Sequence, residues 1–286
     1  MKSIVALSGL LCFASAFQIR EIINTQGNIL EFAEPNIVPS LRLLNSKRAA
    51  VNQFPYQAGL SLYDGGKMRW WCGGSLISTE WILTAAHCMT DALSVNVILG
   101  STTRSNAPVS FDVDSSNFIL HTEFNADTVY HDIALIRIPA VNYTKAIQPV
   151  RLPARASSYP TYKGKIVVMS GWGRTAANAT AGSQTLRYGN SKVIPNEVCA
   201  RRYSSSSIKA GKICTSTVNR IGICGGDSGG PLVLANSKLQ IGIISFYSHR
   251  GCGTDAPAAH TRVTSYLHWI RANTGLKLKK KKFSWV

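Results

Sequence analysis

Between Tyr56 and Phe246 the chain is cut into short apolar or alternating runs, and this punctuation limits the fold more than any other feature. The runs "YQAGLSLY", "SVNVILG", "DIALIRI", "KIVVMSGWG", "PLVLA" and "LQIGIISF" are separated by clusters of Gly, Pro, Asn and Ser. Each run is strand-sized, which makes the chain all-β, and a β-stretch of this length suits a large sandwich or two packed barrels. One helix is expected near the end: Val263, Tyr266, Leu267 and Ile270 share a face, and Gly275 stands where it should stop. No repeat of fixed period is visible.

The first sixteen residues, "MKSIVALSGLLCFASA", place a lysine before an apolar run that ends in Ala14-Ser15-Ala16, the pattern of a cleavable signal peptide. A secreted, extracellular protein follows. Elsewhere no window of eighteen uninterrupted apolar residues suggests a membrane span. Of seven cysteines, Cys12 leaves with the signal, and Cys72, Cys88, Cys199, Cys214, Cys224 and Cys252 remain. An even set in an oxidising compartment reads as disulfides, and six cysteines allow fifteen pairings that spacing alone does not decide. No CxxC pair favours a metal.

Net charge is +17, and Lys2 cancels the one-unit acidic excess of residues 17–42, so the segment from Leu43 onward carries all of it. Five lysines, Lys277 and Lys279 to Lys282, crowd a tail after the helix, expected to be solvated and loosely ordered. Such a balance favours acidic partners, and polyanion contact through Lys277–Lys282 is one expectation; solubility alone explains the tail equally well. Nucleic acid is not expected, because the other basic residues are scattered.

A serine hydroxyl is a poor nucleophile near neutral pH, so a catalytic serine needs an adjacent base, itself oriented by a third group. Ser228 lies in "GGDSGGPL", His87 in "WILTAAHCMT" beside a cysteine, and Asp132 in "HDIALIRI" just ahead of an apolar strand that can bury its carboxylate. Singly, each has a bland explanation as a strand-end or turn residue. Together and in this order, "LTAAHC", "HDIALI" and "GDSGGPL" resemble the chymotrypsin-like serine peptidases, in the style of arthropod chymotrypsins, elastases and brachyurins.

That resemblance implies two packed six-stranded antiparallel β-barrels with a C-terminal α-helix, over residues 43–275 with a boundary near 150. Residues 1–16 are then a signal, 17–42 an activation propeptide and 276–286 a basic tail. It implies a secreted endopeptidase made as a zymogen, with Ser228 as nucleophile, His87 as general base and acid, and Asp132 as its orienting carboxylate. Gly226 and Ser228 would supply the oxyanion N–H groups, while Ser245 would support Asp132 and begin the strand on which substrate pairs. The implied disulfides are Cys72–Cys88, Cys199–Cys214 and Cys224–Cys252.

Cleavage after Arg42 by a trypsin-like protease would free the amine of Leu43 to pair with Asp227. The family usually starts with Ile-Val-Gly-Gly, whereas this chain offers Leu43-Leu44-Asn45-Ser46. Gly222 falls at the base of the specificity pocket, where a trypsin-like enzyme needs an acid, and Tyr247 and Ala258 fall on its walls. An apolar or small P1 residue is therefore expected. Asp255 would admit basic side chains only if the loop register were shifted. The loop after Gly100 lacks the glutamates some relatives use for calcium, so neither metal nor cofactor is expected. Partners would be protein or peptide substrates and protein inhibitors, and the enzyme a monomer. "NYT" at Asn142 and "NAT" at Asn178 are glycosylation sequons. The alternative function is a non-catalytic or weakly active homologue that binds polyanions through its basic surface.

Overall fold

The computed structural model describes residues 46–176, 179–203, 205–217, 224–248, 252 and 254–280, all within one compact unit that begins at Ser40. Signal, propeptide, Arg42, Leu43, Asn178, Gly222, Lys281 and Lys282 lie outside the described residues.

The first sheet contains β2 (Gln57–Asp64), β3 (Lys67–Ser78), β4 (Trp81–Thr84), β5 (Ser94–Leu99), β6 (Val109–Asp114), β7 (Phe118–Leu120) and β8 (Ala134–Arg137). Their order is β6-β5-β2-β3-β4-β8-β7, every pairing antiparallel. Only a 3-10 turn, Ser115–Asn117, separates β6 from β7. The two act as one bent strand that pairs with β5 on one side and β8 on the other, which closes a six-stranded barrel. Strand β5 shows the driving pattern: Val95, Val97 and Leu99 turn inward and are almost fully buried, while Ser94 and Asn96 alternate outward. Each such aliphatic side chain contributes roughly 1.5–3 kcal/mol by leaving water.

The second sheet contains β1 (Lys47–Arg48), β9 (Ile166–Gly171), β10 (Arg187–Ile194), β11 (Lys212–Thr215), β12 (Pro231–Leu234), β13 (Leu239–Phe246) and β14 (Ala258–Arg262). Its order is β1-β10-β11-β14-β13-β12-β9, and an added β9–β10 pairing closes the second six-stranded ring, with β1 a two-residue addition. The architecture is therefore all-β with two curled barrels.

Two short helices, α1 (Ala86–Met89) and α2 (Asn196–Ala200), sit in connections, and α3 (Leu267–Thr274) ends the fold. Val263, Tyr266, Leu267 and Ile270 are buried as the sequence pattern requires, and they pack in the core of the first barrel although β14 belongs to the second. Gly275 stops α3 in the left-handed conformation, φ +71°, and its N–H donates to the Arg271 carbonyl. The start of the lysine tail differs from the loose run expected. Leu276 and Leu278 pack against the core at strand spacing, the Arg155 N–H donates to the Lys279 carbonyl, and Lys277, Lys279 and Lys280 are left exposed. Two leucines at alternate positions suffice to dock this stretch.

Buried polar side chains fix the barrels against each other. Ser170 Oγ donates to Gln57 Oε1 at 2.6 Å, and Ser75 Oγ donates to Gln240 Oε1 at 2.7 Å, each bond joining one barrel to the other. Buried groups of this kind are costly to leave unpaired, so they define one relative placement of the two halves.

Candidate active site

The first barrel supplies an imidazole and a carboxylate. Helix α1 begins directly after β4, and the Cys72–Cys88 disulfide ties it to β3, so His87 is held at the barrel's end. Trp70 Nε1 donates to the Cys88 carbonyl at 2.9 Å and braces the same turn. Asp132 precedes β8 and is fully buried. Its Oδ1 accepts the His87 backbone N–H at 2.9 Å, and its Oδ2 lies 2.9 Å from His87 Nδ1. A carboxylate that grips both the main chain and the ring fixes the imidazole and keeps its proton on Nδ1. Burial pulls the proton affinity of His87 down, and the Asp132 charge and hydrogen bond more than offset this, so its pKa ends above the usual imidazole value.

The second barrel completes the surroundings of Asp132. Ser245 Oγ donates to Oδ2 at 2.5 Å, and Thr261 Oγ1 donates to the Asp132 backbone carbonyl at 2.7 Å. Burial alone would raise the Asp132 carboxyl. His87, Lys212 and Ser245 overcome it and bring the pKa down to about 2, so the group is ionised across the physiological range.

Ser228 sits in the turn before β12. Its carbonyl accepts the Gly73 N–H at 2.7 Å, and Gly229 is pressed against Thr84 and Ala85, so this turn abuts the segment that leads into His87. Gly226 has φ +98°, and a Cβ there would stand 3.1 Å from the Gly173 Cα, so both conformation and space require glycine. Asp227 is buried among backbone donors: the Gly173 N–H reaches Oδ1 at 2.8 Å, and the Cys224 N–H reaches Oδ2 at 2.9 Å. Burial raises its pKa to about 6, against the opposing pull of those two bonds and of Arg104.

The structure thus brings His87, Asp132 and Ser245 into one bonded group and sets the turn carrying Gly226, Asp227 and Ser228 beside it. Ala258 is fully buried on β14, and Tyr247, just past β13, packs against the same apolar cluster. All three disulfides are formed: Cys72–Cys88, Cys199–Cys214 and Cys224–Cys252. Asp255 is exposed, as is Asn142.

Two groups of side chains have metal-ligand chemistry among the described residues. In the first, Cys72 and Cys88 are tied up in their disulfide. In the second, His121, Glu123 and His131, the two imidazoles stack at 4.6 Å with ring planes 15° apart. Each Nδ1 of this pair already has a partner: His121 accepts the Glu123 N–H at 3.2 Å, and His131 lies 3.2 Å from the Tyr266 hydroxyl.

Comparison with known proteins agrees with this geometry. The Trypsin family model matches residues 44–270. The chain belongs to the trypsin family. It is 41% identical to a collagenase from Hypoderma lineatum over 267 residues, which take in 93% of this chain and 98% of that protein. Brachyurin from Leptuca pugilator is 38% identical, over 82% of this chain and 99% of its own. The solved structure of HL collagenase superposes with a TM-score of 0.77 at 42% identity, covering 82% of this chain and all of that one. The protein is a chymotrypsin-like serine peptidase of arthropod type, a hydrolase whose substrates are proteins or peptides. Among the described residues no helix is long and apolar enough to cross a membrane.

Sequence reading missed Thr261 and Lys212 at this trypsin-family site. Lys212 opens β11 and is only 1% exposed, with its Nζ donating to Ser245 Oγ at 3.1 Å. A signal was present: Lys212 stands two residues before Cys214, so in a strand it shares the face of a disulfide-bonded cysteine.

Proposed function

We propose that the protein is a secreted serine endopeptidase made as a zymogen, which cuts after apolar or small residues with Ser228, His87 and Asp132. The observation that carries this reading is the fully buried Asp132 carboxylate bonded to both the His87 backbone and ring. With Nδ1 held by Asp132, the other ring nitrogen of His87, which touches only the weakly accepting Cys88 sulfur at 3.8 Å, takes the Ser228 proton as Oγ attacks the scissile carbonyl and later passes it to the leaving amine. The N–H groups of Gly226 and Ser228 receive the developing oxyanion, each donor being worth about 2.7–4 kcal/mol of barrier.

The zymogen reading draws support from Asp227. Its buried carboxyl, raised to about 6, accepts two backbone N–H bonds and is an acid that gains from a nearby cation. Cleavage after Arg42 by a trypsin-like protease creates such a cation in the amine of Leu43. The apolar or small P1 preference rests on the uncharged Gly222 and on the buried methyl of Ala258. Arg174 Nη2 lies 3.5 Å from the Tyr247 hydroxyl, and its guanidinium packs against Gly225; a cation here opposes a basic P1 side chain. Three disulfides suit an oxidising, extracellular setting.

A fluorophosphonate probe applied before and after cleavage at Arg42 tests the proposal. Labelling of Ser228 that rises on cleavage, together with turnover of peptides bearing apolar or small P1 residues, is expected. Absence of labelling defeats the catalytic reading, and a preference for Arg or Lys at P1 defeats the pocket assignment.

A further inference from the structure

Among the described residues Lys212 stands out: an ammonium sealed from water at the start of a barrel strand. Burying a lysine disfavours its charge unless an acceptor and an opposite charge are at hand. Both are present. Lys212 Nζ donates to Ser245 Oγ at 3.1 Å, Ser245 Oγ donates to Asp132 Oδ2 at 2.5 Å, and Asp132 Oδ2 lies 2.9 Å from His87 Nδ1. An unbroken line of bonds therefore runs from ammonium to imidazole. The Phe246 ring, centred 5.2 Å from Nζ, faces the same cation. In the β11–β14 ladder Lys212 pairs with Thr261, whose hydroxyl holds the Asp132 carbonyl, so one rung of the sheet carries both the cation and a direct bond to the aspartate.

We propose that Lys212 is a positioning residue for hydrolysis: its ammonium turns the Ser245 hydroxyl toward Asp132 and shares that carboxylate's charge with His87. The proposal rests on the triad reading above. Its physical core is donor arithmetic. An ammonium has three protons and no lone pair, whereas a serine hydroxyl has a single proton. At the Lys212–Ser245 contact the ammonium must donate, and the only hydroxyl proton is left for Asp132. An uncharged amine has a lone pair, which lets the hydroxyl turn away from the carboxylate.

The groups that act on this cation come from several elements. Asp132 and His131 lie ahead of β8, His87 on α1 and His260 on β14. His260 is fully buried and bonded through Nε2 to Thr215 Oγ1 at 2.8 Å; burial first, then Lys212, pulls its pKa down to about 3, so it brings no second charge. Burial lowers Lys212 to about 8, with Asp132 pulling the other way. The cation in turn lowers the proton affinity of His87, acting against Asp132. Its removal therefore makes the imidazole more basic.

The test compares the full-length protein with Lys212→Met, which keeps the unbranched stem and removes charge and donors. The His87 ring is titrated by nitrogen NMR, and kcat and KM are measured against pH after cleavage at Arg42. The His87 midpoint is expected to rise in the variant, the acid limb of kcat/KM to rise with it, and kcat to fall about tenfold with KM nearly unchanged, the effect of one weakened charge-assisted bond. Coincident His87 midpoints in the two proteins overturn the proposal, since a packing role lowers stability without moving that midpoint. If Lys212→Met does not fold, Lys212→Gln removes the same charge and is read in the same way. Native protein that neither labels nor turns over defeats the peptidase reading instead, and the NMR titration still decides the role of Lys212.

Discussion

Asp132 and Asp227 are the same residue type, each buried within its own barrel's end of the site, and they are brought to opposite states. Asp132 has an imidazole at 2.9 Å, a hydroxyl at 2.5 Å and a buried ammonium one bond further on, and its pKa is about 2. Asp227 has two backbone N–H donors and the remoter charge of Arg104, and its pKa is about 6. Dipoles from two amides do not replace a cation in a desolvated pocket. Among the described residues the first site is electrostatically complete, whereas the second has no cation bonded to its carboxylate. That asymmetry fits the zymogen proposed above, in which the Leu43 amine released by cleavage supplies the cation at Asp227.

The largest expected effect comes from uncharging the complete site. Asp132→Asn keeps the shape but presents an amide to His87 Nδ1, which favours the wrong tautomer and removes the counter-charge for the imidazolium. Turnover by the cleaved enzyme is expected to fall about 10⁴-fold with little change in KM. A loss of tenfold or less in steady-state assays would show that Asp132 does not orient the base. Asp227→Asn is expected to cost less, about 10²–10³-fold in turnover after cleavage at Arg42, the equivalent of one buried ion pair. Before cleavage the variant and the native protein should be indistinguishable in fluorophosphonate labelling. An Asp227→Asn enzyme that activates normally would rule out the Leu43 amine as the partner that completes this site.

The same pair predicts opposite limbs of stability against pH in the uncleaved protein. The Asp227 pKa is raised from 3.8 to about 6, so in that window the folded chain holds a proton the unfolded chain has released, and stability falls as pH rises. The Asp132 pKa is lowered from 3.8 to about 2, so its contribution is present above that window and is lost as pH falls through it. Each limb amounts to about 2–3 kcal/mol. Urea unfolding from pH 2 to 7 should show Asp227→Asn abolishing the decline between about pH 4 and 6. A decline that persists in this variant would assign it to another group.

Much of this was legible in the sequence because strand alternation and the three motifs are local signals. Val95, Val97 and Leu99 announce an inward face, and Val263, Tyr266, Leu267 and Ile270 announce the last helix. Proximity between strands distant in the chain is not a local signal. Lys212 is 33 residues from Ser245 and Ser245 is 113 from Asp132, so their bonded line exists only after both barrels close. The start of the tail, residues 276–280, illustrates the converse error: its lysines outweigh two leucines in a reading by charge, yet Leu276 and Leu278 pack against the core and dock this stretch.

The smallest effect probes whether the completeness of the Asp132 site is divisible. Ser245→Ala removes the hydroxyl that bonds Oδ2, but His87 still bonds Asp132 by ring and backbone, and Thr261 still holds its carbonyl. Losing one of several donors to a charged group costs roughly 1.5–3 kcal/mol, so kcat should fall about ten- to a hundredfold, well short of Asp132→Asn, with KM nearly constant. Asp227 offers no equally clean experiment, because its donors are main-chain N–H groups that only proline would remove, and proline at Gly173 or Cys224 also disturbs the backbone or the disulfide. If Ser245→Ala proved as damaging as Asp132→Asn, the carboxylate would depend on a single hydroxyl, and the contrast between a site with redundant partners and one short of a cation would fail on its first side.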